Sequence, residues 1–168
     1  MNKVEYMSAV VMILILKSPI SEYYWVSIAD KDFPFLGIIE HTNLLPKENY
    51  DEKNILYITN YVEEDNELLS MNYDEVIEKY IPYINSINPN FSKDEILDYK
   101  FNKINYAQPI IPINYSSYKI PIKLPVSGLY SANTAQIYPE DRGTNYSVEL
   151  GEKVTKIILE DTNGFIER

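Results

Sequence analysis

The chain has 168 residues, 45% of them apolar, a formal net charge of −10 and no cysteine. That length suits one core, or one domain with a docking segment, and the missing cysteine excludes disulfides, thiolate nucleophiles and zinc–thiolate centres. Fifteen Lys and Arg against 25 Asp and Glu argue against nucleic acid as a partner, because phosphate binding needs clustered cations.

The apolar run Ala9–Leu16 is far shorter than the ~20 residues of a membrane-spanning helix. No transmembrane segment is expected, and a cytoplasmic location is. Val4–Leu16 is rich in Val and Ile and reads as a strand buried on both faces, ended by Ser18-Pro19. Tyr23–Ala29 reads as a second strand and Asp30–Asp32 as a turn. Phe35–Thr42 reads as a third strand, Pro46–Asn54 as a polar loop and Ile55–Val62 as a fourth strand.

Tyr73, Val76, Ile77, Tyr80, Ile81 and Ile84 form a stripe at helical spacing, with Asn72 and Glu75 placed for a capping box. Pro82 predicts that this helix kinks or ends near Ile81. Ser92-Lys93-Asp94-Glu95 repeats the capping-box pattern before a strand over Leu97–Tyr106, with Tyr99, Phe101 and Ile104 inward. Most of the 16 tyrosines are expected to pack in the core.

Pro109, Pro112, Pro121 and Pro125 then impose an extended connector. Gly128–Ala132 reads as a short strand, Ala135–Gly143 as a polar loop, and about Asn145–Leu159 as a helix capped by Thr144 or Asn145. Asn163-Gly164 is expected to end it. Gly151 in its interior is expected to mark close packing. The sum is an α+β fold: a mixed, largely antiparallel sheet with a few helices, followed by a C-terminal strand–loop–helix. The two regions divide into 1–125 and 126–168.

Residues 128–145 carry the most chemistry. A loop that opens a helix offers free backbone N–H groups to an anion, and Arg142 adds a fixed cation with planar donors. The same residues also suit a capped surface helix with Arg142 paired to Glu140 or Asp141. His41, the only histidine, suits a substrate-side acid or base, or a structural role at a strand end. No Ser-His-Asp set is evident, and one histidine without cysteine makes a zinc site improbable.

The stretch from Gly128 to Asn145 resembles the C-terminal flavin-contacting signature of the FAD-dependent amine oxidase and protoporphyrinogen oxidase-like superfamily. Upstream, Tyr23-Tyr24-Trp25, Phe35–Asn43, Tyr57–Tyr61 and Tyr106-Ala107-Gln108-Pro109 resemble, in order, landmarks of its substrate domain. The resemblance implies a substrate domain over 1–125 and a flavin-facing segment over 126–168. It implies FAD as cofactor, with Asn133, Arg142, Gly143, Thr144 and Asn145 facing the flavin and His41 and Tyr106 facing an organic substrate.

The 168 residues contain no Gly-x-Gly-x-x-Gly turn, which in that superfamily holds the FAD pyrophosphate. The expected partner is therefore an N-terminal FAD-binding domain or a separate chain carrying it, and the chain alone is expected to be inactive. A homo-oligomer is a further expectation. No lysine lies between Val4 and Leu16, where amine oxidases often carry one, so amine oxidation is not implied. The competing expectation is a non-catalytic binding module derived from such a substrate domain.

Overall fold

A computed structural model describes residues 4–117 and 119–166. The chain divides into two compact units, Val4–Ile110 and the residues from Ile111 onward, so the proline-rich stretch belongs with the C-terminal unit.

The first unit is one antiparallel sheet of five strands in the order β2-β3-β4-β1-β5: β1 (Tyr6–Leu16), β2 (Trp25–Ser27), β3 (Gly37–Glu40), β4 (Asn54–Val62) and β5 (Ile96–Pro109). A helix, α1 (Tyr73–Ile87), covers one face. An α+β class with an antiparallel sheet is what the sequence predicts.

β1 is central and its even-numbered residues build the core. Val10, Met12, Leu14 and Leu16 pack with Leu56 and Ile58 of β4 against Val76, Ile77, Tyr80 and Ile84 of α1. The odd positions Val11, Ile13 and Ile15 are only half-buried. β1 is thus buried on one face and not on both, because α1 supplies a layer to one side only. Phe35 seals the core edge-on to Tyr80 at 5.0 Å.

The capping box of α1 forms as expected: Asn72 Oδ1 accepts from Glu75 N–H, and Glu75 Oε2 accepts from Asn72 N–H. The helix does not stop near Ile81 but continues through Pro82 to Ile87. Pro82 is exposed, so the carbonyl deprived of its donor faces water, where the lost bond costs least. Ser92 provides no side-chain cap to the short 3-10 turn Lys93–Glu95.

Strand limits shift where backbone partners run out. β2 and β3 are shorter than Tyr23–Ala29 and Phe35–Thr42, and His41–Asn43 leaves the sheet as a 3-10 turn. Within β5, Tyr99 and Phe101 pair with Leu14 and Met12 on the α1 side, whereas Ile104 pairs with Ala9 and points to the other face. Tyr99 lies at the exposed sheet edge, stacked on Tyr73 at 3.4 Å. Burial and this neighbour push the Tyr73 phenol up to about 12. Among the described residues only Tyr80 and Tyr115 are buried tyrosines. The other described tyrosines are half-buried or exposed, with Tyr73 and Tyr83 of α1 packed against the core from its margin.

The C-terminal unit holds α2 (Thr144–Ile166) and a compact irregular segment before it. The strand expected at Gly128–Ala132 is reduced to one isolated bridge, Lys123 to Tyr130. Prolines at 121 and 125 withhold the N–H groups that a longer ladder needs, and Gly128 turns the chain at φ 76°. α2 begins at Thr144 and runs through Asn163-Gly164, which does not end it. Its half-buried stripe is Tyr146, Leu150, Val154 and Ile157. Gly151 packs against nothing: a Cβ there would meet no atom within 4 Å.

Leu14, fully buried under α1, dominates stability over the surface cap. Leu14→Ala is expected to cost about 3 kcal/mol and Asn72→Ala about 1 kcal/mol. Urea midpoints in that order check the layer assignment.

Candidate functional site

Two groups of residues carry polar chemistry, one in each unit. In the C-terminal unit, the segment before α2 is held by side chains bonding to backbone. Asn133 Oδ1 accepts from Ala135 N–H at 2.8 Å, and Gln136 Oε1 accepts from Asn133 N–H at 2.5 Å. Gln136 Nε2 donates to the carbonyls of Ile120 and Ser131. Tyr115 Oη donates to the Ala135 carbonyl at 2.7 Å. Asn133 therefore spends its oxygen on closing the 3-10 turn Thr134–Gln136.

The structure gathers Arg142, Gly143, Thr144 and Asn145 at the start of α2. Arg142 N–H donates to Asp141 Oδ1 and Gly143 N–H to the Asp141 carbonyl. The Gly143 carbonyl accepts the first helical bond, from Ser147 N–H at 3.1 Å. Thr144 and Asn145 are thus the first residues inside the helix and not its caps. The amide of Asn145 lies against Gly143, where a Cβ would collide with it. The first turn carries no acidic side chain, so nothing on this helix neutralises the positive end of its dipole locally.

Farther along α2, Asp161 ties the helix to the preceding segment. Lys123 Nζ donates to Asp161 Oδ1 at 2.6 Å and Tyr130 Oη to Asp161 Oδ2 at 2.7 Å. The hydrogen bonds from Lys123 and then Tyr130 hold the Asp161 carboxyl below its ordinary range.

In the sheet unit, His41 and Tyr106 are not neighbours. His41 follows Glu40, which pairs with Leu56 and through it with Leu14. Tyr106 lies in the bulge of β5 opposite the stretch Met7–Ala9. Some six residues of β1 separate the two levels, roughly 20 Å at the ~3.4 Å rise of a strand. Tyr106 takes a left-handed φ of 57°, packs edge-on to Tyr6 and is 67% exposed.

His41 instead sits among aromatic side chains that the sequence reading missed. Its Nε2 lies 2.6 Å from Tyr50 Oη, and the ring of Tyr57 is 5.7 Å away. Tyr57 was legible, since alternation places it opposite the buried Leu56 and Ile58. Tyr50 was not, because it arrives through the 3-10 turn Lys47–Tyr50, closed by Asp51 at a left-handed φ of 52°.

Tyr57 belongs to a register row that crosses the whole sheet on the face away from α1: Trp25, Ile39, Tyr57, Ile13 and Lys100. That face is apolar and largely half-buried over β1, β3 and β4, turns polar along β5 at Asp98, Lys100 and Asn102, and has Trp25 58% exposed at its other edge.

No family model matches the chain, and no curated protein matches it. Among the described residues no group of three or more acidic or His side chains could hold a metal, and no helix is long and apolar enough to cross a membrane.

The Asp161 junction can be tested directly. A carboxyl held below its unfolded value contributes stability above that value and loses it as pH falls through the folded one. Asp161→Asn is therefore expected to speed amide exchange at Leu124 and Ser131, which bond back to Leu129 and Ile122, at neutral pH. The wild type should approach that behaviour only in strong acid. Unchanged exchange at neutral pH would show that the junction does not hold the segment.

Proposed function

We propose that this chain is the C-terminal part of an FAD-dependent oxidoreductase of the amine oxidase and protoporphyrinogen oxidase-like type, acting on an organic substrate. The observation that carries the reading is the start of α2: Arg142, Gly143, Thr144 and Asn145 lie together there and the first helical turn carries no acidic side chain, with Asp141 just before it accepting from the N–H groups of Arg142 and Gly143. Hydride transfer to a flavin leaves negative charge at N1 and the C2 carbonyl. A helix N-terminus stabilises such charge without reorganising.

The residues fit one edge of the flavin. They do not supply a phosphate cradle, so the dinucleotide has to be held mainly by a domain carrying the glycine-rich turn. When bound, FAD supplies the hydride acceptor. This chain's part is to present donors to the flavin ring from its C-terminal unit and a substrate platform from its sheet unit. The apolar sheet face around Ile39, Tyr57 and Ile13 suits the platform role, with His41 and Tyr50 as the polar pair at its corner. The exposed Tyr106 offers a second contact at the opposite end. The cytoplasmic location belongs to the same reading.

Flavin fluorescence tests the proposal. The chain alone is expected to bind FAD more weakly than about 10 μM, roughly −7 kcal/mol. Mixed with the product of an adjoining reading frame that encodes the glycine-rich turn, it is expected to perturb bound flavin saturably. Arg142→Ala should weaken that effect about tenfold. Tight binding by the chain alone would sink the divided-enzyme reading. An Arg142→Ala variant that behaves like wild type would sink the flavin-facing role. Failure of both arms would leave a non-catalytic binding module built on the sheet face.

A further inference from the structure

Glu40 is fully buried, and only one of its oxygens is used. Its Oε1 accepts from Ile20 N–H at 2.6 Å and from Ser21 N–H at 3.1 Å. Oε2 has no hydrogen-bond partner among the described residues, and neither does the buried Oδ1 of Asn54.

These two orphan acceptors serve the same turn. Asn54 Nδ2 donates to the carbonyls of Leu16 and Lys17, which fixes the amide orientation and leaves Oδ1 pointing away from them. Glu40 holds the amides three residues later. The two side chains also share a sheet face: Glu40 pairs with Leu56, and Asn54 is the next residue of β4 on that face, opposite Leu16. Diagonal neighbours of this kind are within reach of long side chains.

Two buried acceptors cannot satisfy each other, and each left orphaned keeps the full cost of its lost hydration. One proton resolves both. We propose that Glu40 is a neutral carboxylic acid at physiological pH and that its Oε2–H donates to Asn54 Oδ1, directly or through one water. The pair forms a proton-dependent clamp on the turn between β1 and β2.

The electrostatic surroundings agree. Burial drives the Glu40 carboxyl up, and the bonds from Ile20 and Ser21 and the charge of Lys47 only partly oppose this. Of the other groups at this turn, Asn54 from β4 and Asn88 from the end of α1 are neutral, and the half-buried Glu95 from the 3-10 turn before β5 is the acidic group beside it. Lys17 is charged but exposed. The inference does not rest on the flavin reading, since every residue in it lies in the sheet unit.

The sign follows from linkage. A group whose folded value is raised contributes stability that is complete below its unfolded value and is lost as pH rises through the folded one. The wild-type urea midpoint is therefore expected to fall as pH rises from the ordinary carboxylate range up through the raised folded value, and to level off above it. Glu40→Gln mimics the neutral acid, with Oε1 still accepting and Nε2 donating to Asn54. It is expected to match or exceed wild type at pH 7 and to flatten that fall.

Infrared spectroscopy of the wild type at pH 7 should show the carbonyl stretch of a protonated carboxylic acid. That band should disappear on alkaline titration and be absent from Glu40→Gln. The wild-type spectrum decides the matter even if the variant does not fold. No acid band at pH 7, or a Glu40→Gln variant that is folded, less stable and equally pH-dependent, would overturn the proposal.

Discussion

The sheet depends on how the chain leaves β1. That strand is the hub, paired on one side with β4 and on the other with β5, and its next strand in sequence is β2 at the far edge. The connection must therefore pass β4 and β3 before either has been placed by a short turn, which makes it a long-range closure with an entropic cost. Four polar side chains offset that cost by gripping the turn's backbone. Asn54 holds Leu16 and Lys17, Asn88 holds Pro19 and Ile20, Glu40 holds Ile20 and Ser21, and Asn43 holds the Ser21 carbonyl. They come from β4, the end of α1, β3 and the 3-10 turn after β3. The turn therefore reports whether all those elements have assembled.

Local pattern made the existence and type of most sheet-unit elements legible. Alternating Leu56, Ile58 and Val62, the helical stripe from Tyr73 and the Asn72–Glu75 capping box each encode their own conformation within a few residues. What the sequence hid was relational. Nothing in Val4–Leu16 says that a layer covers one face and not the other, so the strand looked buried on both. Ile104 looked inward because its side is set by pairing with Ala9 across the sheet. Pro82 was expected to kink or end the helix near Ile81, but its cost depends on whether the deprived carbonyl faces water.

The candidate sites divide along the same line. Arg142 to Asn145 were legible because a helix start is a local event, although the helix begins earlier than expected, at Thr144 and not at Asn145. His41 was legible as a lone titratable side chain, but its setting was not. Strand alternation would have isolated it from Glu40 and Thr42, whereas the chain leaves the sheet at His41 and turns toward Tyr50. Gly151 misled in the opposite sense: a glycine inside a helix suggested a close neighbour, and its surface is open.

A one-sided sheet is a costly design for a small unit. A layer on the second face would bury Val11, Ile13, Ile15, Ile39 and Ile55 further, at about 25 cal/mol per Å² of apolar surface removed from water. The sequence keeps these positions apolar where solvent exposure alone would favour alternation with polar residues. α2 carries a parallel feature: Val148, Ile158 and Leu159 are exposed on a helix whose half-buried stripe lies elsewhere. Apolar side chains kept partly exposed on the second sheet face and on α2 are what surfaces that work against another body require. Under the proposed function, a face of that kind suits a substrate platform, and the exposed apolar positions on the helix suit contact with a second domain.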